Sequence, residues 1–128
     1  MIRKAGLTLL CAANLFATNA FSVTTNAFMQ GPVAEYVLVP NEPQVFVNVF
    51  MWTVKATCKL TSKNEENPLE IKVLNKSGSF NGIPLSAGDS MTVIVHANDR
   101  IVITAAPSGK VELVNRGTVS MKVGCSAS

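Results

Sequence analysis

Between residues 46 and 60 the chain reads F-V-N-V-F-M-W-T-V-K-A-T-C-K-L, and from Phe50 onward every second residue is apolar: Phe50, Trp52, Val54, Ala56, Cys58 and Leu60. Thr53, Lys55, Thr57 and Lys59 fill the positions between. A period of two belongs to a strand with one face on a core and the other in water. A helix would bring Lys55 and Lys59 to the face of Met51 and Trp52, and the β-branched and aromatic content favours a pleated surface. Upstream the pattern changes, because Val45, Val47, Val49 and Met51 lie on the parity that later turns polar. After Gln44, the run 44–52 is therefore apolar on both faces except at Asn48. A run of this kind needs a cover, since soluble monomers seldom leave such a patch in water. Either a strand expected at residues 33–39 or a loop packs over it, or a partner chain or second copy does. Val45, Val47, Val49 and Met51 are thus the candidate interface.

The rest of the chain is punctuated into short strands. Residues 33–39 form a first strand, and Pro40 and Pro43 bracket a turn, because proline cannot donate to a ladder. The polar stretch 61–68 reads as a solvent loop, and Leu69, Ile71 and Val73 then alternate with Glu70 and Lys72. Asn81-Gly82, flanked by Phe80 and Ile83, is the strongest hairpin signal. Met91, Val93 and Val95 alternate with Thr92, Ile94 and His96, followed by strands at 101–105, 110–115 and 118–125. Turn signals at this spacing and the lack of a helical pattern predict an all-β domain over residues 33–128, a small antiparallel β-sandwich or small barrel.

The N-terminus changes the accounting. Arg3 and Lys4 precede an apolar stretch from Ala5 to Ala17, and small residues follow at Ala20 and Ser22, as in a secretory signal peptide over residues 1–22. The stretch is too short to span a bilayer, which takes about 20 apolar residues, and no transmembrane helix is expected in the mature chain. Leu10 stands before Cys11 where a lipoprotein signal would have a small residue, so Cys11 is expected to leave with the leader. Residues 23–32 have no clear period and end in Gly-Pro, which suggests an arm or linker. Of 11 basic residues, Arg3 and Lys4 go with the leader, leaving 9 against 8 acids, a net charge of +1. Nothing in that balance, and no basic run, points to nucleic acid. Two cysteines remain. On an exported chain they predict one disulfide, Cys58 to Cys125, and parity agrees, because Cys125 shares a face with Val119, Met121 and Val123.

One cysteine on an early strand, one on a late strand and a tryptophan nearby loosely resemble an immunoglobulin-type sandwich. Trp52, however, precedes Cys58 on the same strand, and Val123 stands where that fold carries tyrosine. The resemblance implies architecture alone.

Candidate chemistry is thin. His96 is the only histidine, and no acidic run has calcium-loop spacing, so neither a metal nor a cofactor is expected. Ser90, His96 and Asp99 could be assembled into a triad only by forcing them together, without a nucleophile elbow. Glu65 and Glu66 read as solvated loop acids, and no glycine cluster opens a helix to cradle phosphate. The expectation is a non-enzymatic binding or assembly protein, periplasmic, envelope-associated or secreted, acting through an apolar protein-protein surface or by self-association. An accessory role in an envelope or secretion complex belongs to the same class. The alternative is a β-sandwich that binds a small ligand, a sugar or a lipid, on a sandwich face or its end loops, which a concave pocket of several hundred Å³ lined by aromatics would favour.

Overall fold

The structure, a computed structural model, describes residues 23–28 and 33–128; the leader expected at residues 1–22 lies outside them. Eleven strands are present among the described residues: β1 (Thr24–Ala27), β2 (Ala34–Leu38), β3 (Gln44–Val47), β4 (Val54–Ser62), β5 (Glu66–Asn75), β6 (Ser77–Phe80), β7 (Ile83–Ser86), β8 (Ser90–His96), β9 (Arg100–Ala105), β10 (Lys110–Asn115) and β11 (Met121–Ala127). They form a sandwich of a five-stranded sheet, β1-β3-β10-β5-β8, on a six-stranded sheet, β2-β11-β4-β9-β6-β7. Pairing is antiparallel except between β1 and β3.

Period-two patterning sets the core. On β4, Val54, Ala56, Cys58 and Leu60 are buried while Lys55, Lys59 and Thr61 are exposed. They meet Leu69, Ile71 and Val73 of β5, Ile101 and Ile103 of β9, and Met121 and Val123 of β11 in one apolar cluster. Full burial of one such aliphatic side chain is worth roughly 1.5–3 kcal/mol. Asn81 (φ 48°) and Gly82 (φ 84°) both lie in the left-handed region between β6 and β7, as an Asn-Gly hairpin turn requires. That hairpin is the one consecutive pair of described strands that stays within a sheet.

Every other connection crosses from one sheet to the other, and the crossings carry the unusual residues. Asn41, Lys76, Asn98 and Ser108 have positive φ, each between strands of different sheets. Among the described residues the three buried polar ones are all asparagines, Asn48, Asn67 and Asn115. Asn67 accepts from the Ser62 hydroxyl and donates to the carbonyls of Asn64 and Val95. Asn115 donates to the carbonyls of Leu38 and Val119 and accepts from the Gly117 N–H. Backbone groups at a crossing have no ladder partner, and a buried amide side chain supplies one.

Three expectations change in this frame. Residues 46–60 are two strands, not one: β3 ends at Val47 in the five-stranded sheet and β4 begins at Val54 in the other. The segment read as an arm contributes β1, which pairs with β3, while Phe28 is buried 5.8 Å from the Phe46 ring. The loop expected at 61–68 shrinks to residues 63–65, because Asn67 is buried and the missing N–H of Pro68 falls past the end of β10, opposite Arg116.

Cys58 and Cys125 are joined, S–S 1.99 Å, as directly opposed residues of β4 and β11. These are neighbours in one sheet, whereas the immunoglobulin disulfide spans two.

Candidate functional site, an apolar loop at one end of the sandwich

The crossing from β3 to β4 is built around Asn48, which is only 1% exposed. Its Nδ2 donates to the carbonyls of Trp52 (2.8 Å), Ala105 (2.9 Å) and Ala106 (3.1 Å), and its Oδ1 accepts from the Phe50 N–H (2.8 Å). The Asn48 N–H donates to the Gly109 carbonyl, and the Asn48 carbonyl accepts from the Ser108 N–H. Two amide hydrogens shared among three carbonyls leave no polar group of Asn48 unused. One side chain thereby closes the loop on itself and ties it to the β9–β10 turn.

What the anchor holds out is apolar. Met51 is 90% exposed, Val49 64% and Trp52 49%. Phe50 is half-buried against the core, and its ring stacks on Trp52 at 4.9 Å with 23° between the planes. Three large apolar side chains thus stand exposed within four residues of one anchored loop.

The four residues singled out from the sequence are divided by the break at Asn48. Val45 and Val47 lie on the outer face of the five-stranded sheet, where Val45 is buried and Val47 half-buried. Val49 and Met51 are in the loop. β2 is no cover for them, being the edge strand of the opposite sheet, paired with β11. Trp52, placed on the core face by parity, is half-exposed instead, because the strand parity does not run through the crossing. The signal for both was Asn48, the one polar residue in an apolar run.

The other chemistry-bearing residues are dispersed. Ser90 and His96 stand at opposite ends of β8. The Asp99 carboxylate accepts the His96 N–H at 2.7 Å and lies 3.5 Å from His96 Nδ1, closing the β8–β9 turn. Glu70 pairs with Arg116 at 2.7 Å. No three His, Cys, Asp or Glu side chains converge as a metal set among the described residues. Between the sheets, the hollow lined by Phe28, Tyr36, Phe46 and Ile103 holds about 20 Å³, room for one water. A larger hollow of about 300 Å³ beside Val37, Lys63 and Lys122 is open and has no aromatic lining.

No protein-family model matches the chain, and no curated protein does. Among solved structures, PliG from Aeromonas hydrophila, a periplasmic lysozyme inhibitor of g-type lysozyme, is similar at 11% identity and a TM-score of 0.39, over 85% of this chain and all of that one. A likeness this slight carries nothing about function. No helix among the described residues is long and apolar enough to cross a membrane.

Proposed function

We propose that this chain is an exported, non-enzymatic binding protein that engages a partner protein through the loop of residues 49–52. The observation that carries the reading is the contrast within that loop: a fully bonded, buried Asn48 holds it rigid while Met51, Val49 and Trp52 stay in solvent. Docking through a loop whose backbone is already held in place costs little backbone entropy, which is the economy of a preorganised docking element. Methionine and tryptophan are also among the residues enriched at the centres of interfaces. Export is supported by the leader-like N-terminus and by the Cys58–Cys125 disulfide, which persists in oxidising compartments. Lys55 and Lys110, exposed at the starts of β4 and β10 beside the loop, favour a partner whose apolar recess has an acidic rim. The small-ligand alternative is disfavoured because the space between the sheets holds only about 20 Å³ and the open hollow of about 300 Å³ has no aromatic lining.

Photo-crosslinking tests this reading. A photoreactive side chain at position 51 should give a discrete adduct in the native envelope or culture medium, and the adduct should vanish when Trp52→Ser is added. The same probe at Lys59, exposed at mid-sheet, should give none. Equal labelling from both positions, or none from position 51, would count against the loop.

A further inference from the structure

The four sheet edges are unequally defended. Of the strands that form them, β1 has four residues, β7 carries Pro84, and the Val37 carbonyl on β2 accepts from the Gln44 side chain. β8, seven residues with the sequence S-M-T-V-I-V-H, has no proline, lysine or bulge. Short length, proline and charge are the usual means of keeping an edge from pairing, and β8 lacks them all.

Its hydrogen-bonding parity follows from the bonds flanking it. Ala97 N–H donates to the Glu65 carbonyl at one end, and Val73 N–H donates to the Asp89 carbonyl at the other. With the register Val95↔Asn67, Val93↔Leu69 and Met91↔Ile71, the odd-numbered residues bond to β5 and the even-numbered ones point to the open edge. His96 is already occupied, its N–H by the Asp99 carboxylate and its carbonyl by the Asp99 N–H. The N–H and C=O groups of Ser90, Thr92 and Ile94 remain, with no partner among the described residues.

We propose that β8 pairs antiparallel with β8 of a second copy, about a two-fold axis through Thr92. That register sets Thr92 opposite Thr92 and Ser90 opposite Ile94, so every open edge group finds a partner and no two charges meet. It also sets Met91 of one copy against Val93 of the other on the core side, where both are only half-buried. Thr–Thr and apolar cross-strand pairs of this kind are favourable. An extended segment of another protein could use the same hydrogen bonds, but only a second copy brings a Met91 to each Val93. One pair of strands covers far less than the roughly 800 Å² per partner of a stable interface, so the association is weak and reversible. The site is separate from the 49–52 loop, and either can fail without the other.

Sedimentation equilibrium of the exported chain, taken up to about 500 μM to reach a weak interface, should show the mean mass rising toward twice the monomer. Thr92→Pro removes an N–H that no described residue uses, so it should keep the far-ultraviolet spectrum and stay monomeric throughout. If that variant does not fold, Ile94→Lys, at a side chain already exposed, makes the same test by adding charge to the edge. Hydrogen exchange at Thr92 and Ile94 should slow several-fold with concentration. A chain that stays monomeric over the range, or a folded variant that dimerises as well as the parent, overturns the proposal.

Discussion

Replacing Asn48 by alanine would take their side-chain partner from the N–H of Phe50 and the carbonyl of Trp52, and one donor from the carbonyls of Ala105 and Ala106, the latter keeping the Gly109 N–H. An unsatisfied buried group costs about 1–3 kcal/mol, and some of these groups would regain water, so a loss of about 2–3 kcal/mol is expected in urea unfolding. Asn48→Asp is the sharper variant. It keeps the shape but aims a carboxylate oxygen at three carbonyl oxygens, and should be at least as destabilised as the alanine variant at neutral pH. An Asp variant as stable as the parent would show that shape, not donation, matters at this crossing. The sequence marks Asn48 as the exception in an apolar run, but an asparagine there fits a buried corner and an exposed strand position alike. Only the carbonyls of residues 105 and 106, more than fifty positions away, decide between them.

At the scale of elements, what could be read from the sequence was what local pattern controls. The alternation over Val54 to Leu60 and the Asn81-Gly82 turn fall where expected. Gly82 makes a direct check: at φ 84° a Cβ meets nothing within 4 Å, so Gly82→Ala carries only backbone strain, expected at about 1 kcal/mol. A neutral effect would mean the turn readily takes another form. What could not be read depends on distant partners. β1, T-T-N-A, has no apolar period and is a strand because β3 offers it an edge. Trp52 was misplaced because parity was carried across a break that neither Phe50 nor Met51 announces. Of the candidate interface, Val49 and Met51 stand out in the sequence by their excess of apolar character and lie in the loop, whereas one continuous strand would put Trp52, exposed beside them, on the core face. Trp52 is the only tryptophan, which makes the loop self-reporting. Met51→Ser should leave the melting temperature within about 2 °C of the parent, as expected at an exposed site, and should reduce the blue shift of Trp52 emission when partner is added.

For the whole molecule, the disulfide closes a loop of 67 residues between β4 and β11. The chain-entropy account assigns such a loop about 4 kcal/mol, a large share of the 5–15 kcal/mol typical of a domain. Thiol titration of residues 23–128, denatured and unreduced, should find no free cysteine, and the Cys58→Ala, Cys125→Ala variant should lose most of that stability. Retained stability without the bond would transfer its role to the strand pairing alone. β11 has a second consequence, in the order of events rather than in energy. It lies between β2 and β4 and is the bridge that joins β2 to the rest of the six-stranded sheet, yet of the described strands it is the last to be made. While the chain emerges from N- to C-terminus, β4 waits with one edge open, β2 has no neighbour, and Cys58 has no native partner. Completion of the sheet is thus deferred until residues 121–127 arrive, and slow folding is expected of such non-local pairing. During that interval the open edge of β4 is what a chaperone, or another unfinished chain, would meet.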